Sequence, residues 1–264
     1  MEWKSQMIEQ ISKLLSLCDS ENSVMPPTIL YNEGWVLRLI LDWFSQQEFT
    51  NHPLSFANDS RWYSEILLPS PFQPRFRSDP LSEAYTHADG AIGHFTIGKY
   101  GKGDINLSLN AKQLIIIEAK MFSKLSKGIK NFGDYDQAAR NVSCIAQILD
   151  QSSIDISDMP SVGFYVIAPA TQLENEPTFK NYLFKDSIKN KVWSRVQAYR
   201  GEPAELQKIE WYDNYFMALL DKIDVNALSW EQIIEHIQSI DKDYGLQLSQ
   251  FYQKSLAFNK LHKQ

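Results

Sequence analysis

Short apolar runs separated by polar, proline-bearing breaks fill the first two-thirds of the chain. The clearest starts at Gln113, where Leu114, Ile115, Ile116 and Ile117 lead into Glu118-Ala119-Lys120. A brief apolar run rich in β-branched residues predicts a buried strand over Gln113–Lys120. Residues 161–168, Ser-Val-Gly-Phe-Tyr-Val-Ile-Ala, predict another. Trp62–Leu68 alternates as a strand does, Asp89–Ile97 reads as one, and Ile105–Leu109 as a further short one. Tyr100-Gly101-Lys102-Gly103 predicts a turn. Pro69, Pro71, Pro74 and Pro80 make residues 69–86 a long loop, a type often functional in compact domains.

Helical spacing appears elsewhere. Trp3, Met7, Ile11, Leu14, Leu15 and Leu17 recur near a 3.6-residue period over residues 1–20. A second helix is expected after Pro27, running through Phe44. It is apolar nearly all round and therefore buried, with Glu33 among its hydrophobic neighbours. Tyr135, Ala138, Val142, Ile145 and Leu149 form one stripe of a helix over Asp134–Gln151. From about Glu176 onward the pattern is mostly helical. The predicted organisation is a core with an N-terminal helix over 1–170 and a helical C-terminal extension over 171–264, packed on the core.

Composition narrows the class. Of 264 residues, 44% are hydrophobic and 22% charged, enough for an ordinary globular core. No apolar run approaches the ~20 residues needed to span a bilayer, and the first residues lack the layout of a secretory signal. Cys18 and Cys144 can build neither a disulfide framework nor a four-thiolate zinc site, so a reducing cytoplasm is expected. The net charge of −6 argues against indiscriminate coating of nucleic acid but leaves room for one basic cleft. Residues 179–200 set six basic residues against one acid, Asp186, with Phe179, Tyr182, Phe184, Trp193 and Tyr199 interleaved. That mixture suits a nucleic-acid groove, although aromatics at helical spacing more often belong to a core.

The chemistry gathers around Glu118-x-Lys120. Strand side chains alternate, so Glu118 and Lys120 share a face one pleat apart. A carboxylate and an ammonium at the end of an apolar strand are costly unless something uses them. Upstream, His87-Ala88-Asp89-Gly90 places an acid at the mouth of another strand. An acid followed by Glu-x-Lys on the next strand, in the order helix, three strands, helix, strand, resembles the PD-(D/E)xK nuclease superfamily over about residues 28–170. The resemblance implies a restriction-endonuclease-like α/β fold: an α-β-β-β-α-β core with a mixed central sheet.

The resemblance further implies Mg²⁺-dependent (or Mn²⁺-dependent) hydrolysis of phosphodiester bonds, with DNA the favoured substrate. Asp89 and Glu118 would hold the metal, the Ala119 carbonyl would add an oxygen, and Lys120 would act on the water or on transition-state charge. Glu33, on the first core helix, would complete the site as metal ligand or catalytic acid. Gln137 would reach the site from the following helix. Arg140 and the loop lysines Lys124, Lys127 and Lys130 would contact nucleic-acid phosphates.

Each residue also has a plainer explanation: a strand-end ion pair, a turn aspartate, a solvated helix face, lysines that keep a loop soluble. Asp104 is the rival to Asp89, which is preferred because it opens the longer strand between small residues. The alternative function is a catalytically silent module of the same fold that binds nucleic acid or a protein partner.

Overall fold

The structure, a computed structural model, describes residues 2–48, 51–98 and 104–260. Five strands build a central sheet: β1 (Arg61–Leu68), β2 (Thr86–Gly93), β5 (Gln113–Ala119), β6 (Ser161–Ala168) and β7 (Asp224–Ser229). They lie in the order β1-β2-β5-β6-β7. The β1–β2 and β2–β5 pairs are antiparallel, and β5–β6 and β6–β7 are parallel. The sheet is therefore mixed. A two-stranded ribbon, β3 (Phe95–Ile97) with β4 (Ile105–Leu107), forms a second sheet, linked to β1 by a bridge between Asp104 and Leu67.

The helices are α1 (Glu2–Ser16), α2 (Glu33–Ser45), α3 (Gln137–Ser152), α4 (Ala170–Asn175), α5 (Pro177–Leu183), α6 (Lys185–Gln197), α7 (Glu205–Trp211), α8 (Met217–Lys222), α9 (Trp230–Ile240) and α10 (Lys242–Lys260). No described helix is long and apolar enough to cross a membrane.

Alternation along β5 explains the layering. Leu114 and Ile116 face a core that includes Ala138, Val142 and Ile145 of α3, with residues of α6 and α8. Ile115, Ile117 and Ala119 face the opposite core, shared with Val36, Leu37, Ile40 and Leu41 of α2, Trp230 of α9 and Tyr252 of α10. A strand covered on both faces needs an unbroken apolar run, which is what β5 and β6 carry. The helix boundaries follow from caps. Asn32 accepts from the Trp35 N–H at 3.0 Å, and Asp136 from the Ala139 N–H at 2.9 Å. Each capped helix thus starts later than hydrophobic spacing alone suggests.

Several expectations change. Residues 89–97 are not one strand, because the ladder stops at Gly93. There an added Cβ would lie 2.2 Å from the Gln113 carbonyl oxygen, so only glycine lets β2 run this close to β5. The strand also begins earlier than expected, at Thr86, which puts Asp89 inside it. The C-terminal part is not purely helical: β7 supplies the fifth strand of the central sheet, parallel to β6. Its short, half-exposed run with Asp224 and Asn226 is that of an edge strand and carries little β signal. Residues after 170 also contribute Phe179, Ile188, Trp211 and Phe216 to one core and Trp230 and Ile233 to the other.

Helix α1 leaves Met7, Ile8 and Ile11 more than half exposed. The Trp3 side chain and the expected turn at Tyr100–Gly103 lie outside what is described. Residues 69–85 carry no helix or strand but are anchored. Phe72 is fully buried, and the Arg75 Nε donates to Asp79 at 2.8 Å.

Gly93→Ala should therefore destabilise the fold by roughly 1–3 kcal/mol, the usual cost of forcing a methyl into filled space. Urea denaturation should show a lower midpoint with an unchanged slope. Unchanged stability would mean that this contact between β2 and β5 is not tight.

Candidate functional site: a fork between two strands

Pairing of β2 with β5 runs from Gly93–Leu114 to Gly90–Ile117 and stops there. The next residues, Asp89 and Glu118, fall beyond the ladder, so the strands splay where the acids begin. On the other side of β2, Ser64 pairs with Gly90 and Ile66 with Ala88, but Glu65 drops out of register with φ of 55°. Asp89 is thus outside the ladder on both flanks. A non-glycine residue at positive φ inside a strand is uncommon and worth attention. The Glu65 side chain turns to Arg38 of α2, with the ion pair at 3.2 Å.

Asp89 uses the gap. Its Oδ2 accepts the backbone N–H of Ala119 at 2.6 Å, so the strand end itself holds the aspartate in place. Glu118 is 3% exposed. Its Oε1 accepts from Lys120 Nζ at 2.6 Å and from Gln137 Nε2 at 2.5 Å. Its Oε2 is buried and has no donor. Burial, then the charge of Asp89, pushes the Glu118 carboxyl up to about 7, against the opposing pull of Lys120. Two carboxylates share this site, and only one oxygen of Glu118 is well served.

Gln137 is the first residue of α3, and its amide is oriented at both ends. The Ser126 N–H donates to Oε1 at 3.2 Å while Nε2 faces Glu118. A backbone bond from Gln137 N–H to the Ser126 carbonyl, 3.0 Å, ties the same loop to the helix. Lys120 is held through its backbone: its N–H donates to the Ile167 carbonyl at 2.8 Å, and its carbonyl accepts Trp230 Nε1 at 2.9 Å. No sequence signal marked Trp230 as a support of the site, because the contact joins residues 110 positions apart.

The structure brings Asp89, Glu118, Ala119, Lys120 and Gln137 together. Glu33 is not among them. It sits on the first turn of α2, whose buried side packs on the opposite sheet face, and makes no hydrogen bond or ion pair with Asp89, Glu118 or Lys120 among the described residues. Asp104 is placed at the β3–β4 ribbon, where its carbonyl accepts the Gly98 N–H at 2.9 Å. Arg140 is already engaged: its Nη2 donates to Thr86 Oγ1 at 3.1 Å and its Nε lies 3.5 Å from buried Glu83. Lys124 pairs with Glu176 at 2.5 Å, whereas Lys127 and Lys130 are exposed and carry no ion pair among the described residues. In the basic segment, Arg195, Phe179 and Tyr199 are buried and Lys191 pairs with Asp136, so much of it is core. Phe184 and Trp193 remain exposed.

The pair Asp89–Glu118 fits a hard divalent cation. Both are oxygen donors, and the orphaned Oε2 is a buried acceptor with nothing to accept. Mg²⁺ needs few protein carboxylates, since it keeps several waters. Among the described residues no group of three or more His, Cys, Asp or Glu gathers as a metal site. Neither a family model, nor a curated protein, nor a solved structure matches the chain. The resemblance to the nuclease superfamily therefore rests on the residue pattern alone.

A pH effect follows. The Glu118 carboxyl lies above its ordinary value of 4.5 when folded, so cation-free folded protein holds an extra proton between that value and about 7. Its favourable contribution is complete at low pH and lost as pH rises through 7. Glu118→Gln should remove that loss. In chelator the variant should be more stable than wild type at pH 8, by on the order of a few kcal/mol in urea denaturation, with the gap shrinking toward pH 5. A gap independent of pH would show that Glu118 is not held protonated by its surroundings.

Proposed function

We propose that this chain is a Mg²⁺-dependent nuclease, with Mn²⁺ as a substitute cation, that hydrolyses phosphodiester bonds of nucleic acid, DNA foremost. The reading includes a restriction-endonuclease-like arrangement of the core. The observation that carries it is the splayed end of β2 and β5. There Asp89, buried Glu118 and Lys120 converge with a glutamine from the next helix, and one carboxylate oxygen is left without a donor.

In this reading Asp89 and Glu118 hold the cation, with the Ala119 carbonyl as a third oxygen. When bound, the cation supplies relief of charge on the scissile phosphate and a more acidic water. The remaining work falls to the chain. The Ala119 N–H fixes Asp89 from the strand end. Gln137 keeps Glu118 oriented toward the fork. Lys120 Nζ, which donates to Glu118 Oε1, would position the attacking water or donate to the phosphoryl oxygens as negative charge builds. Lys127 and Lys130 lie on the loop that Gln137 anchors and are free to meet backbone phosphates. Lys124, already paired with Glu176, has less to give.

The test is single-turnover cleavage of linear, circular, single-stranded and branched DNA in Mg²⁺ and Mn²⁺, beside binding in Ca²⁺. Wild-type protein should cut at least one substrate. Lys120→Ala should lower the rate by about 10²–10⁴-fold while leaving Ca²⁺-supported binding intact. Glu118→Ala should lose cation binding and cleavage together. Lys127→Ala and Lys130→Ala should weaken binding across sequences and flatten its salt dependence, more than Lys124→Ala does. Wild-type protein that binds DNA but cuts nothing on the panel would overturn the enzyme in favour of the silent binding module. Normal cleavage by Lys120→Ala would remove this lysine from the chemistry.

A further inference from the structure

Three rings close the seam between α2, α9 and the segment that follows α2. His52 stacks on Phe44 with ring centroids 4.9 Å apart, and on His236 of α9 at 4.7 Å. Phe44 and His236 lie 5.9 Å apart, with 5° between their planes. Phe44 is 1% exposed, and the His236 Nε2 is buried without a partner. His52 is also tied to its own segment. Its Nδ1 accepts the Leu54 N–H at 3.1 Å. Leu54 is fully buried in the core that holds Phe44, Ile233 and Ile237. The Ser55 N–H donates to the His52 carbonyl at 2.9 Å, and Gln113 at the start of β5 clasps the segment through the Ser55 carbonyl and the Ala57 N–H.

An Nδ1 that accepts a hydrogen bond presents a lone pair, so this ring is neutral and bears its proton on Nε2. A second proton has only Nδ1 to go to. There it turns the acceptor into a donor that faces the Leu54 N–H, and it puts a charge between two packed rings. No acid compensates. Asp42 of α2 is exposed and accepts from Gln46 Nε2, and Glu48 beyond that helix, Asp59 further along the segment and Glu235 of α9 are exposed. Glu231 of α9 accepts from the Tyr252 hydroxyl and from the Ala170 N–H. The one charge that reaches His52 is that of His236. Burial, then His236, holds the His52 imidazole down to about 4, against an ordinary 6.5. The ring therefore takes up a proton readily only once it has left the stack.

We propose that the stack of Phe44, His52 and His236 is an acid-released latch: proton uptake at His52 Nδ1 expels the ring, frees the Leu54 N–H and lifts residues 51–57 off α2 and α9. A histidine held neutral in the folded chain stabilises the closed state in full above 6.5. That contribution is lost as pH falls from 6.5 toward about 4. Opening of the segment should grow by up to about tenfold per pH unit across that interval. Glu118 titrates in the opposite sense, so the measurement has to be local. The latch does not depend on the reading of the fork as catalytic.

The experiment is amide hydrogen exchange on the full chain in chelator, corrected for the intrinsic rate at each pH and read at the Leu54 and Ser55 N–H groups. From pH 8 to pH 5 the wild type should lose protection there by roughly thirtyfold. Ile115 and Ile117 in the centre of β5 should keep theirs. His52→Phe leaves a ring on Phe44 but takes no proton, and His52→Gln leaves an acceptor for the Leu54 N–H. In both variants, protection of the segment should be independent of pH over that range, whatever its level. Protection that does not change with pH in the wild type would overturn the latch. So would a pH dependence that persists in both His52 variants, or one that β5 shares in full, since that marks unfolding of the whole chain.

Discussion

The Glu118 side chain is carried into the interior by a strand that is apolar from Leu114 to Ile117, and only one of its oxygens finds donors there. A carboxylate in that position is tolerated if it is neutral, paired or bound to a cation. Lys120 and Gln137 supply a partial answer at Oε1, and the upward shift of the carboxyl supplies another. Neither serves Oε2. The arrangement of neighbouring elements follows from this residue. The ladder between β2 and β5 ends one pair short so that Asp89 can turn to the Ala119 N–H. Glu65 leaves the β1 ladder at the same level. The first residue of α3 spends its amide on Glu118 rather than on solvent. A buried carboxylate oxygen without a donor and a non-glycine residue at positive φ thus fall at the same level of the sheet.

The elements that could be read from the chain are those whose cores are continuous. β5 and β6 carry unbroken apolar runs because both faces are covered, and α2 and α3 carry stripes matched to the opposite sides of the sheet. Glu118 and Lys120 were legible for the same reason: strand alternation alone puts them on one face. Gln137 was readable only as a residue type near the start of a helix. What fixed it was the Asp136 cap, which makes Gln137 the first helical residue and aims it at the fork. Asp89 was preferred to Asp104 as the opener of a longer strand; the structure instead places it inside β2, beside Glu118, with Asp104 bridged to Leu67 of β1 next to the β3–β4 ribbon.

Non-local contacts were beyond the reach of the sequence. β7 joins the sheet through parallel pairing with β6 across the whole of α4 to α8, and local propensity carries no trace of that partner. Trp230 reaches the Lys120 carbonyl from the helix that β7 positions. Without β7 the end of β5 would lose this cap, so the C-terminal part is built into the support of the candidate site. Burial likewise reassigns Arg195. It belongs to a segment that reads as a basic strip, yet its guanidinium lies 3.8 Å from Phe132 and 4.4 Å from Phe72, inside the core. A run of positive charge in sequence becomes a surface feature only where the helix turns it outward, and α6 turns its charges both ways.

Helix α3 links these observations. Its N-terminal residue orients Glu118, its middle packs Ala138, Val142 and Ile145 against the sheet, and its last turns line a polar cavity beside Trp211 and Lys208. The long loop before β2 runs a parallel course. Ser70 and Pro71 border the cavity, Ser70 Oγ donates to buried Glu83, and Glu83 faces Arg140, which in turn holds Thr86 at the start of the strand that carries Asp89. A rigid helix and a buried polar chain thus hold the elements that carry Gln137, the partner of Glu118, and Asp89.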